Sequence, residues 1–260
     1  MTPCKGTKVT AGGTALADAL GKAKAGEVLC LDPGKHVGGL SVTRSVTLQG
    51  SGGAEATTLE GTGRGAVLHV EEDGATLRLV GLTITGGNGG EGGGLSMQAF
   101  GEVHVSDCVF KGNKAPRYGG GAIFANRGKL VIRDTRFESN DGNQGGALLL
   151  DQATRAEIKG ATFFKNHASQ GGAVRVKEGV EATFTDCRFE MNSAPEGSVL
   201  LANGTTTRAP IVKLESCAVL DGTITNDKQV PAKIRIARSR LPSGLKGSRE
   251  FEDAGHNRFE

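Results

Sequence analysis

One nine-residue pattern recurs four times in this chain and leaves it few ways to fold. The copies run from Val105 to Asn113, Ile132 to Asn140, Ile158 to Asn166 and Phe184 to Asn192. Each ends in Phe-x-x-Asn, and Phe110, Phe137, Phe163 and Phe189 follow one another at steps of 27, 26 and 26 residues. After each copy comes Gly-Gly-Ala or a variant: Gly120-Gly121-Ala122, Gly145-Gly146-Ala147, Gly171-Gly172-Ala173 and Gly197-Ser198-Val199. Weaker copies flank the set at Leu79 to Gly87 and at Leu214 to Val219. A fixed period of this length marks a structure built by stacking one unit on the next.

Inside a unit, apolar and polar residues alternate. Val103 and Val105, Leu130 and Ile132, Ala156 and Ile158 share one face, with Glu102, Lys129 and Glu157 on the other. Period two is the mark of a half-buried strand, and the three- and four-residue spacing of a helix is missing. A unit of several short strands joined by Gly turns is one coil of a parallel β-helix, and adjacent coils stand about 4.8 Å apart. The expected fold is therefore all-β: a right-handed solenoid of nine or ten coils. Gly numbers 42 of 260 residues, more than twice the usual share of ~7%, which the turns account for. Stacking turns the repeat into columns: a Phe column inside, and an Asn column of Asn113, Asn140, Asn166 and Asn192 at a turn.

Residues 1–27 read as an N-terminal cap, in which Thr14 to Ala23 form a short amphipathic helix with Thr14 or Gly13 at its start. Residues 28–222 hold the coils, and 223–260 hold irregular last coils and a basic cap that includes Lys228, Lys233, Arg235 and Arg238. Of five cysteines, Cys108 and Cys187 share one repeat position three coils apart, roughly 14 Å, too far for a disulfide. With the neighbouring Cys217 they read as small buried hydrophobes. Cys4 and Cys30 are the pair placed to form a bridge. No apolar run reaches the ~18 residues of a membrane helix, and the start shows no basic-then-apolar leader.

Residues 14–50, with Leu-Ala-Asp-Ala-Leu, then Gly-Glu-Val-Leu-Cys-Leu-Asp-Pro-Gly and Val-Thr-Leu-Gln-Gly, resemble the opening of right-handed parallel β-helix proteins of the pectate-lyase-like superfamily. The run Leu82-Thr-Ile-Thr-Gly-Gly-Asn88, followed by the Phe-x-x-Asn and Gly-Gly-Ala units, is similar to the repeats of bacterial polymorphic outer-membrane proteins and adhesins. The resemblance implies the fold, and it implies an exported or surface location. It leaves function open, because the superfamily holds lyases, hydrolases, esterases and proteins without chemistry.

The enzyme signatures the resemblance implies are incomplete here: no Trp-Ile-Asp-His segment, no Arg-x-Pro-x-x-Arg, no Gly-His-Gly. The nearest carboxylate constellation is Asp107 and Asp134 on adjacent coils with Arg136 beside them. It reads either as a site for Ca2+ or acid–base work, or as a repeated turn residue. Ca2+ at that pair is the one cofactor considered; otherwise none is expected. The five histidines show no metal-ligand spacing, and Gly87 to Gly92 matches a nucleotide loop in letters but opens no helix. The candidates for sugar platforms are Tyr118, Phe124 and Phe100, and Trp is absent.

After Gly-Gly-Ala, the inward residues are expected to be Ile123, Leu148, Val174 and Val199. The outward row is then Phe124, Leu149, Arg175 and Leu200, a surface that either meets a partner or lies under the C-terminal tail. On these residues the chain reads first as a non-catalytic bacterial surface or secreted scaffold that contacts a protein or the envelope. The alternatives are a divergent lyase or hydrolase acting on an acidic polysaccharide through the carboxylate ladder, and a Ca2+-stabilised carbohydrate-binding module. Nucleic acid is not an expected partner, since the basic tail lacks a stacking rhythm.

Overall fold

The computed structural model describes residues 3–204, 208–226, 230–246 and 248–260. It is a parallel β-solenoid of about 9 turns. The central coils each give one strand to three long sheets of 11, 10 and 8 strands, the end turns to fewer, and a 3-stranded sheet joins the middle coils. The coil that holds the first repeat shows the path. Glu102–Ser106 lies in the 11-stranded sheet, Val109–Lys111 in the 10-stranded sheet, and Ile123–Asn126 in the 8-stranded sheet. All pairings within these sheets are parallel and in register from coil to coil: Val105 faces Ile132, Phe110 faces Phe137, and Ile123 faces Leu148.

The columns follow from that register. Phe110, Phe137, Phe163 and Phe189 are fully buried, with successive ring centroids 5.3, 5.0 and 4.8 Å apart and nearly parallel. Ile84 and Leu59 continue the column in earlier coils. The Asn column is a continuous hydrogen-bond chain. Oδ1 of Asn140 accepts from both the backbone N and Nδ2 of Asn113, at 3.0 and 3.1 Å. Nδ2 of Asn140 donates to the Phe110 carbonyl and to Oδ1 of Asn166. The same set repeats at Asn166 and Asn192. A buried amide satisfied on every side in this way locks turn to turn.

The Gly-Gly pairs owe their place to close approach as well as to backbone angle. A Cβ on Gly146 would collide with the Gly172 carbonyl oxygen, and one on Gly121 with that of Gly146. The turns are stacked so closely that no side chain fits between them.

The helix is Ala15–Lys22, with Thr14 at its N-terminal boundary. The Thr14 hydroxyl donates to the Asp18 carboxylate at 2.9 Å instead of capping a backbone amide. Leu16 is buried against the first coil. The ladder begins earlier than residue 28: Thr7–Val9 pairs with Leu29–Leu31, and Cys4 is bonded to Cys30 with a Cα–Cα distance of 5.7 Å. It also runs past 222, through Lys233–Ala237 and Arg240–Leu241 to Glu252–Asp253 and Arg258–Phe259. Basic residues of this last part pair within the ladder, Arg235 with Glu252 and Arg240 with Glu260. Asp227 and Lys228 lie outside the described residues.

The outward row of the 8-stranded sheet differs from expectation in two ways. First, it is covered: Phe124 is 3% exposed, Leu149 0%, Arg175 6% and Leu201 4%. The cover is the Gly-rich turn of the coils themselves, not the C-terminal tail. Backbone at Gly120 passes so near Leu149 N that a Cβ there would lie 2.5 Å from it, and the Tyr118 ring meets Phe124 edge-on at 6.1 Å. Second, Leu200 belongs to the inward row, where it pairs with Val174, and Leu201 takes the outward place beside Arg175. Val199 fills the position of Ala147 and Ala173 after the glycine turn, which shifts the expected register by one residue.

Candidate functional site

Asp107 and Asp134 do stack on adjacent coils, but as turn residues. Their backbone φ angles are 53° and 45°, and the same position in other coils is held by Gly160, Asp186, Ser216 and Arg238, all left-handed. Asp is enriched there because its short polar side chain tolerates that conformation better than most. Both carboxylates are exposed. Arg136 turns away from them: its Nε donates to Glu138 at 3.0 Å, and its guanidinium lies over the Phe164 ring at 4.9 Å. Among the described residues no group of three or more His, Cys, Asp or Glu is placed to share a metal ion. Two exposed turn carboxylates without further ligands do not fit Ca2+, which wants six or more oxygens.

The concentration of polar chemistry is instead on the 8-stranded sheet. Asp151 closes the strand Leu148–Asp151, and Lys177 occupies the next coil at the same place, directly after Val174–Val176. Lys177 Nζ donates to Asp151 Oδ2 at 3.1 Å, with the side chains only 14% and 7% exposed. Tyr118 reaches over this pair from the turn of an earlier coil. Its hydroxyl donates to Asp151 Oδ2 at 2.9 Å and accepts from Lys177 Nζ at 2.5 Å. The ammonium also lies 4.9 Å from the Tyr118 ring centre. Gln152 N donates to the other Asp151 oxygen. A buried ion pair of this kind needs its remaining hydrogen bonds met, and Tyr118 with Gln152 meets them. Next to it Arg175 donates to Gln170 and Asn203.

Two hollows adjoin the cluster. One, of about 400 Å3, is lined by His69, Glu91, Ser96, Arg117, Tyr118 and glycine backbone. The other, of about 390 Å3, is lined by Phe100, Arg127, Gln152, Ala153, Glu178 and Arg208. Tyr118 itself lines the first, and Gln152, which follows Asp151 in the chain, lines the second. The phenol oxygen is held between an ammonium and a carboxylate, a setting suited to holding or passing a proton. Sequence reasoning named Tyr118 and Phe100 as free aromatics but missed Asp151 and Lys177. Their signal was available: they stand 26 residues apart, one repeat, with opposite charge.

The remaining thiols carry no chemistry. Cys108, Cys187 and Cys217 are buried; burial pushes the Cys108 thiol up to about 12, and contact with Cys217 together with burial pushes Cys187 up. No helix among the described residues is long and apolar enough to cross a membrane.

No curated protein matches the chain. Among solved structures, it is similar to an alginate lyase of the PL6 family, AlyGC, at 14% identity and a TM-score of 0.64, over 98% of this chain and 39% of that one. A single-substitution variant of the same lyase gives 13% identity and a TM-score of 0.66, again over 39% of its length. Escherichia coli YbhC gives 13% and 0.50, over 97% of this chain and 76% of that one. The chain thus spans well under half the length of the lyase it matches, and at these identities the likeness is one of fold. The model of the right handed beta helix region matches residues 46–223, more than half of the chain, and with the in-register parallel coils described above the protein belongs to that family.

Proposed function

We propose that this chain binds an acidic polysaccharide beside the Tyr118–Asp151–Lys177 cluster at the end of the 8-stranded sheet and cleaves it by elimination, with Tyr118 as the proton-transferring group. The observation that carries the reading is the Tyr118 hydroxyl held between Lys177 and Asp151, with Tyr118 lining a polar hollow. Its fold neighbour being an alginate lyase supports the substrate class. The expected scaffold role loses its main support, since the row Phe124, Leu149, Arg175 is not exposed. The disulfide Cys4–Cys30 supports a place outside the cell, where such bonds persist.

Elimination removes the proton on the carbon next to the uronate carboxylate. The electron pair forms a carbon–carbon double bond, the glycosidic carbon–oxygen bond breaks, and the leaving oxygen takes a proton. Tyr118 serves both transfers when its own proton first passes to Asp151 Oδ2, to which it is hydrogen-bonded at 2.9 Å: the phenol oxygen takes the substrate proton, gives it to the leaving oxygen, and regains its proton from Asp151. Arg117 and His69 line the hollow where a uronate carboxylate would be met.

The test is the ultraviolet absorbance of the unsaturated uronate when the protein is mixed with alginate, pectate or a neutral glucan. Wild type is expected to give product from an acidic polymer alone, and Tyr118→Phe to lose at least about a hundredfold in rate while keeping its fold. No product from any polymer would contradict the elimination; sedimentation with alginate would then separate a carbohydrate-binding role, if the protein binds, from the scaffold reading, if it does not, for which the Lys177–Asp151 pair is only an internal strut.

A further inference from the structure

Phe100 is the most exposed large hydrophobic residue among those described, at 60%, yet its backbone is held at both ends. Its N donates to Asp73 Oδ1 at 2.8 Å, and its carbonyl accepts from Gly74 N at 2.9 Å. The Arg127 guanidinium lies 5.3 Å from the ring centre and donates to Gln152 at 3.3 Å. The ring stands between two hollows: the one with Arg127 and Arg208, and a second of about 540 Å3 whose lining includes Lys129 and Arg155. Lys129 and Arg155 are engaged with Glu157 and Glu181 across coils, at 3.7 Å each; the other hollow sets two guanidinium groups, Arg127 and Arg208, against one carboxylate, Glu178, and is the cationic side of the ring. Arg127, Gln152 and Ala153 all have left-handed backbone, with φ of 75°, 38° and 58°.

The geometry points to a uronate-binding subsite at this corner, in which the apolar face of a sugar ring packs on Phe100 and its carboxylate pairs with Arg127 and Arg208. An exposed ring gains when an apolar surface covers it, and a guanidinium fork matches a carboxylate. Gln152 follows Asp151 directly and contributes to both places, so the subsite lies beside the Tyr118 cluster and lets one chain of sugars touch both. This inference rests on the acidic-polysaccharide reading above.

The experiment is calorimetric titration of alginate and of pectate oligosaccharides of increasing length into wild type, Phe100→Ala, Phe100→Tyr and Arg127→Ala. Longer oligosaccharides should bind Phe100→Ala roughly tenfold more weakly than wild type, and Phe100→Tyr like wild type. The loss in Arg127→Ala should shrink as salt is raised. Phe100→Ala should melt with wild type, since the ring is exposed. If wild type binds alginate and Phe100→Ala binds it equally well at every length, the subsite is wrong and the polysaccharide reading stands. If wild type binds neither alginate nor pectate oligosaccharides, that reading falls and the subsite with it.

Discussion

At Asp134 the chain bends from the 11-stranded to the 10-stranded sheet with a φ of 45°, and that angle, not a ligand, is what the position demands. The amino acids found there in other coils are those that endure left-handed backbone or a turn that forces it: Asp, Gly, Ser and, at the last copy, Arg238. Asp134→Gly should therefore leave stability within about 0.5 kcal/mol, whereas Asp134→Ala should lose about 1 kcal/mol. Ca2+ should shift the melting of neither variant nor of wild type. A Ca2+-dependent rise in melting temperature that disappears in Asp134→Gly would restore the metal reading. The sequence shows that carboxylates stack; it does not show the backbone angle, and two explanations therefore looked alike. The register slip at Leu200 has a similar origin. Gly197-Ser198-Val199 resembles Gly-Gly-Ala in outline, but Val199 is as apolar as the strand that follows, so alternation alone cannot say where the strand's inward row begins.

The repeating element is legible in the sequence because its strongest interactions join identical residues. Phe over Phe and Asn over Asn need the same amino acid in every coil, so they write a period into the chain. Asn140 sits in the middle of the ladder and takes part in bonds to Asn113, Asn166 and Phe110. Replacing it with Ala should cost at least about 3 kcal/mol, because several buried partners lose their bonds at once. Asn192, whose amide oxygen serves Asn166 and whose Nδ2 serves Phe163, ends the run and should cost less. Urea unfolding of the two variants checks the order, and equal small losses would mean that the amides contribute no more than turn residues. The Tyr118–Asp151–Lys177 cluster leaves a fainter trace. Asp151 and Lys177 keep the period, but Tyr118 comes from an irregular turn between Ala115 and Gly120, whose path no periodicity describes.

For the whole molecule, stacking makes one continuous core from the first coils to the last. Residues buried in the middle are reached only when a large part of the ladder opens. Cys108 reports on this. Its thiol is pushed up to about 12 by burial, so the folded protein keeps it protonated and unreactive well above the ordinary thiol range. A thiol reagent should label Cys108, Cys187 and Cys217 at the rate of unfolding, not at the rate of an exposed thiol, and rapid labelling of the native protein would contradict the packing. A raised folded value adds stability that is complete below the ordinary thiol value and is lost as pH rises through about 12. The likeness to solved structures extends over nearly all of this chain but only 39% of the lyase, so what the solenoid shares with that enzyme is its frame. The proposed chemistry rests on what this chain mounts on the frame.

The face on which that chemistry sits is the central claim, and backbone-amide NMR of the labelled protein, titrated with an alginate oligosaccharide, tests it most directly. The account predicts shifts at Phe100, Tyr118, Arg127, Asp151 and Lys177, with the 11-stranded sheet around Val131, Glu157 and Thr183 unmoved. Shifts confined to that 11-stranded sheet, or to the turn at Asp107 and Asp134, would contradict it.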